Sequence, residues 1–141
     1  MTPVEKIMRT APVIPVLVIE DAAHARAIAE ALVAGGLPVL EVTLRTAAAL
    51  DAIAEMKKVP GAIVGAGTIV DVAGLDSAIA AGAEFIVSPG LTDNLGKAAV
   101  AKNIPFLPGV ASAGDIMRGL DLGLTHFKFF PAEANGGLPA L

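Results

Sequence analysis

Apolar residues along this chain come in short runs of six to nine positions, set between longer stretches where they recur at helical spacing. The run "VIPVLVI" (13–19) is β-branched and too short for a helix, so it predicts a buried strand. Then follows "EDAAHARAIAEALVAGG" (20–36), which predicts a helix: Asp21 stands at a cap position, alanines fill the middle, and a Gly-Gly pair stops it. "PVLEVTL" (38–44) predicts a second strand and "TAAALDAIAEMKKV" (46–59) a second helix, with Thr46 as candidate cap and lysines in the last turn. The alternation continues with strands over 61–69, 83–88, 104–109 and 126–132. Helices are predicted after Asp71, Thr92 and Ser112, each a residue type that caps well.

Strand starts fall near 13, 38, 62, 84, 105 and 126, a period of 21 to 25 residues. Strict alternation with short connections and apolar strands predicts a parallel sheet with right-handed crossovers. An open nucleotide-binding sheet would carry a glycine fingerprint after its first strand. This chain has "VIEDAA" there, without glycine. The expectation is therefore an α/β fold of the (β/α)8 TIM-barrel type, of which the 141 residues carry about six β-α units as one domain, 1–141. Closing such a barrel takes eight units, so two more, roughly 45 to 60 residues at this spacing, are expected to be missing.

Composition narrows the chemistry. The chain is 55% hydrophobic with a mean hydropathy of +0.71, which fits elements buried on two sides. Its longest apolar run spans positions 11–19 and contains two prolines, whereas a spanning helix needs about 20 residues. The N-terminus has no signal-peptide pattern, so no membrane association and a cytoplasmic location are expected. No cysteine is present, and the two histidines, His24 and His126, are far apart. That argues against disulfides and thiolate metal sites. The net charge of −4 comes without a basic run, which argues against nucleic acid as a partner.

In a barrel the chemistry sits at the C-terminal ends of the strands. Alternation along "LEVTLRT" puts Glu41, Thr43 and Arg45 on one face. In "HFKFFPA", Lys128 shares a face with His126 and Phe130, while Phe127 and Phe129 point the other way, toward the helices. An inward lysine is costly as an unpaired ammonium, and desolvation favours the neutral amine, which can attack a carbonyl. Three readings fit: a Schiff-base nucleophile, favoured by the inward glutamate and arginine, a structural ion pair between Lys128 and Glu41, or a lysine reaching out to the barrel mouth. Glu41 suits proton transfer or plain charge balance, and Arg45 either binds a carboxylate at the mouth or is solvated there. "GAGT" (65–68), "SPG" (88–90) and "LPG" (107–109) end their strands as close-approach segments or simply as turns. His24 reads as a helix-surface residue and His126 as the start of its strand, neither of them catalytic.

"EVTLRT" (41–46), "GAGT" (65–68), "SPGLT" (88–92) and "FKFFPAE" (127–133), in that order, resemble the 2-keto-3-deoxy-6-phosphogluconate (KDPG) aldolase / 4-hydroxy-2-oxoglutarate aldolase family. The resemblance runs from about residue 10 to Leu141. It implies a class I, Schiff-base aldolase of the Entner–Doudoroff pathway, free of metal and of other cofactors and usually a homotrimer, that makes pyruvate from a 2-keto acid. It makes Lys128 the Schiff-base lysine and Glu41 the general acid/base. It puts Arg45 on the pyruvate carboxylate, has Thr68 and Pro89 line the pocket, and packs Phe130 beside bound pyruvate. In that family the substrate-phosphate site lies in loops after strands seven and eight. A non-catalytic fragment or scaffold module built on the same sequence is the alternative.

Overall fold

A computed structural model describes all 141 residues. The chain begins with helix α1 (Pro3–Thr10), followed by strand β1 (Val16–Leu17). A 3-10 turn (Ala22–His24) leads into α2 (Ala25–Ala34). The alternation then runs β2 (Val39–Thr43), α3 (Ala49–Met56), β3 (Ile63–Gly67) and α4 (Val72–Ala81). It ends with β4 (Ile86–Ser88), α5 (Asp93–Ala101), β5 (Phe106–Val110), α6 (Ala113–Asp121) and β6 (Lys128–Phe129). All strands are parallel and lie in the sheet in sequence order, β1 to β6. A doubly wound sheet reverses its order at a switch point. This one never does, so the winding is that of a barrel, here open between β1 and β6.

The two faces of the sheet bury different things. Leu40, Val42, Val64, Ala66, Ile86 and Phe106 share one core with the helices. The alternate positions Val39, Phe85 and Val87 form a second, smaller core, against which Ile7, Ile14, Ile63 and Leu107 pack. Several of these stand at the starts of their strands, so α1 and the segment after it floor the barrel at its N-terminal end. The floor leaves the C-terminal ends of the strands free for polar groups.

Capping follows local chemistry closely. Asp21, Asp71, Thr92 and Ser112 each accept a backbone N–H at a helix start, and such caps contribute about 1 kcal/mol each. At Ser112 the box is complete: the Asp115 carboxylate accepts from the Ser112 N–H at 3.0 Å. These contacts, with the Ala111 N–H first among them, hold the Asp115 carboxyl below its ordinary value.

Three expectations need correction, and one helix is added. The first strand, read over 13–19, is only Val16–Leu17, and Val13, Val16 and Val18 are about half exposed. It is an edge strand: Leu17 packs toward the helices, while Val16 and Val18 share the inward face where the sheet stays open. The sixth strand, read over 126–132, is reduced to Lys128–Phe129, since β5 alone pairs with it. Thr46 does not cap a helix; α3 starts at Ala49, and the Thr46 hydroxyl donates instead to the Ile19 carbonyl at 2.6 Å. Finally, α1 was not read from the sequence, although "TPVE" carries its signature. Thr2 accepts from the Glu5 N–H and proline occupies the first helical position.

Candidate active site

The polar groups at the mouth are set by strand parity. All five residues of β2 are buried, two of them polar. Thr43 is spent on structure, its hydroxyl donating to the Leu17 carbonyl at 2.9 Å. With Thr46 on Ile19, it ties the end of β2 to the β1 edge. Glu41 is only 4% exposed, and its partner comes from across the barrel. The Nζ of Lys128 stands 3.8 Å from Glu41 Oε1. That is a contact between charges, too long for a direct hydrogen bond.

Lys128 keeps 24% of its side chain exposed, so the amine lies at the boundary between the buried carboxylate and the open mouth. Its Nζ also sits 4.6 Å from the centroid of the Phe130 ring, within cation–π range. The neighbouring rings take the opposite face. Phe127 packs so tightly on α6 that a Cβ at Gly119 would overlap its Cε1. Phe129 lies with Val110, Ala113 and Ile116 in an apolar groove. The lysine therefore sits in an aromatic run because alternate members of that run face opposite ways.

The second pair joins β2 to β3. Arg45 Nε donates to the Thr68 hydroxyl at 3.1 Å. Thr68 has a φ of 58°, an uncommon backbone for a β-branched residue, with a cost of order 1–3 kcal/mol. Strain of this kind concentrates where a side chain has to be aimed. Pro89 reaches the site through its backbone: a Cβ at Gly109 would overlap the Pro89 carbonyl, and Gly109 is the register partner of Lys128. The Ser88 hydroxyl donates to the Gly90 carbonyl at 2.7 Å and shapes that turn.

The "GAGT" glycines do more than turn the chain. Gly65 and Gly67 are the register partners of Glu41 and Thr43. A Cβ at Gly65 would stand 2.5 Å from the Phe85 ring, and one at Gly67 would overlap Glu41 Oε1. Sequence reading leaves these glycines as a loop signal, because the side chains that occupy them come from other strands. His24 is exposed at the start of α2. His126 precedes β6, with Nδ1 3.0 Å from the Thr125 hydroxyl. No three acidic or histidine side chains converge on a common point.

Burial drives the electrostatics. Desolvation pushes the Glu41 carboxyl above its ordinary value near 4.5, and the positive charges of Lys128 and Arg45 only partly oppose this. The sign for stability follows from proton counting. Above pH 4.5 an unfolded Glu41 has lost its proton while the folded one still holds it. Stability contributed by this group therefore falls as pH rises from there to the raised folded value. Glu41→Gln carries no such proton, so its urea midpoint should change less with pH across that window. A variant that keeps the parent's full slope would show that the carboxyl is not desolvated. The arrangement as a whole offers a lysine amine, a buried carboxyl beside it, and an arginine fork at the rim.

Known proteins carry the same arrangement of strands. The family model "KDPG and KHG aldolase" matches residues 4–141. The chain is 67% identical over 141 residues to the 2-dehydro-3-deoxy-phosphogluconate aldolase of Zymomonas mobilis, covering all of this chain and 68% of that protein. It is 55% identical to the KHG/KDPG aldolase of Escherichia coli K12, covering 99% of this chain and 66% of that one. The crystal structure of the Zymomonas mobilis ZM4 enzyme with 3-phosphoglycerate superposes with a TM-score of 0.96 at 67% identity, over 98% of this chain and 66% of that one. A Legionella pneumophila KDPG aldolase, with pyruvate captured as a covalent carbinolamine, superposes with a TM-score of 0.93 at 46% identity, over 98% and 68%. The chain thus spans about two thirds of the length of these relatives, and its six strands are part of their barrel. No helix is long and apolar enough to cross a membrane. By sequence, by fold and by the model that matches it, the chain belongs to the KDPG and KHG aldolase family.

Proposed function

We propose that this chain carries the Schiff-base chemistry of an aldolase that cleaves 2-keto-3-deoxy-6-phosphogluconate to pyruvate and glyceraldehyde 3-phosphate. Cleavage of 4-hydroxy-2-oxoglutarate to pyruvate and glyoxylate follows from the same residues. The observation that carries this reading is the Lys128 amine at the mouth, 3.8 Å from a buried Glu41 carboxylate. The carbinolamine seen in the Legionella pneumophila relative supports it.

The geometry and the family resemblance support the following steps. A raised pKa makes Glu41 a better proton acceptor for the neighbouring ammonium, and sharing that proton frees the amine lone pair. Lys128 Nζ adds to the C2 ketone of the substrate, and the carbinolamine hydroxyl leaves as water with the proton held by Glu41, which leaves an iminium and restores the carboxylate. Arg45, oriented by Thr68, holds the substrate carboxylate through its planar fork. Glu41 takes the proton of the C4 hydroxyl, the C3–C4 bond breaks, and its electrons move to the iminium nitrogen. Glyceraldehyde 3-phosphate leaves as the aldehyde. The remaining enamine takes a proton at C3 from Glu41, and water attacks the iminium to release pyruvate and restore the amine. Phe130 and the Pro89 turn wall the site in which pyruvate sits. Homotrimeric assembly and a cytoplasmic location complete the reading, both carried by the family resemblance.

Borohydride added with pyruvate should reduce the imine and fix one pyruvate-derived mass on the peptide that contains Lys128. In a version carrying two further β-α units, incubation with 2-keto-3-deoxy-6-phosphogluconate should release pyruvate, and prior borohydride trapping should remove that release. A label on Lys97 or Lys102, or cleavage that survives trapping, would overturn the proposal.

A further inference from the structure

We propose that Gly67 is a positioning residue for Glu41, the gap left by its missing side chain being the seat on which the carboxylate rests. This rests on the reading of Glu41 as proton carrier. Glu41 and Gly67 lie on adjacent strands, two residues out of register, since Glu41 pairs with Gly65 and Thr43 with Gly67. The Glu41 side chain therefore leans toward the mouth and across β3. A Cβ on Gly67 would overlap Oε1 and would stand 2.7 Å from Cδ and 2.8 Å from Cγ. Three successive atoms lie on the glycine, so rotating the carboxylate alone cannot clear it.

The backbone does not explain the glycine. Gly36, Gly61, Gly82, Gly123, Gly136 and Gly137 have positive φ, which favours glycine by conformation, but Gly67 does not. An alanine could adopt its φ and ψ; only the space is taken. Gly65, one step deeper on the same face, leaves room for the Phe85 ring of the floor. The two glycines thus have separate tasks, the lower one making the apolar base and the upper one placing the acid. The floor beneath keeps Glu41 from sinking, and the Arg45–Thr68 pair closes the strand ends just above. The seat thereby sets the reach from Oε1 to Lys128 Nζ.

The test is a mutant cycle on this chain with two readouts, borohydride trapping of pyruvate and deuterium exchange at the pyruvate methyl group. Gly67→Ala should leave trapping at Lys128 measurable while exchange falls about 100-fold, the lower end of what a general base contributes. Introduced into Glu41→Gln, the same change should cost little more, because contacting residues that act as a unit do not add. If the two losses multiply, Gly67 acts independently of Glu41 and the proposal fails. Thermal unfolding covers the case in which Gly67→Ala folds poorly. Removing the side chain it collides with, in Gly67→Ala/Glu41→Ala, should restore the melting temperature to that of Glu41→Ala. No restoration would mean that the obstruction lies elsewhere, and the seat would be wrong. Exchange unchanged in Glu41→Gln alone would instead overturn the role of Glu41, while the melting comparison would still decide the seat.

Discussion

Lys128→Arg should abolish covalent capture of pyruvate while leaving the fold intact. Arginine keeps a positive charge within reach of Glu41 and over the Phe130 ring, so the buried carboxylate retains a partner. A guanidinium stays protonated in proteins and cannot add to a ketone. Cleavage and methyl exchange should therefore drop by about 10⁴-fold or more, the scale on which removal of a covalent nucleophile is felt. Lys128→Met makes the complementary case: no cation remains, and the Glu41 carboxyl should rise further and hold its proton to higher pH. The two variants separate nucleophile from counter-ion, because the first preserves charge balance and the second does not. Exchange near the parent rate in Lys128→Arg would place the chemistry on another residue.

Glu41→Gln should divide the reaction at a different point. The amide keeps the size and the seat of the carboxylate, so Lys128 retains its surroundings and imine trapping should remain measurable. Proton exchange at the pyruvate methyl should fall by about 10² to 10⁴, the usual contribution of a positioned general acid or base. The pH profile sharpens the expectation. In the parent, exchange should rise with pH through an ionisation above the ordinary glutamate value, because burial raises that carboxyl. In the variant that limb should be missing. A Gln variant that exchanges at the parent rate would reduce Glu41 to a counter-ion for the lysine.

Much of this was legible from residue order alone, for a physical reason: parity along a strand is a local property. The inward placement of Glu41 and Lys128, and the outward placement of Phe127 and Phe129, follow from alternation and hold in the structure, whereas Arg45 lies in an exposed turn beyond β2 and meets Thr68 there. The caps at Asp71, Thr92 and Ser112 are local in the same sense. Thr46 shows the limit of that logic, since a cap-type residue before a helix is claimed by a carbonyl 27 positions earlier. Gly67 shows it again: the side chain that needs the space belongs to residue 41, and nothing near "GAGT" announces it. The first strand looked buried because its residues are apolar, but burial also needs a covering neighbour, and β1 has a strand on one side only.

The sheet holds Glu41 and Lys128 in unequal settings. Glu41 sits in the middle of β2, paired on both sides and buried along its whole length. Lys128 opens a two-residue strand that is paired on one side and half-buried. In the language of hydrogen exchange, amides around Glu41 belong to the most slowly opening part of this chain, paired on both sides. The carboxylate proposed to carry protons thus stands on the part of this chain least given to opening. Between ketone, carbinolamine and iminium the carbon bound to nitrogen changes from planar to tetrahedral and back. Through those changes the carboxylate proposed to meet each proton stays where β2 holds it.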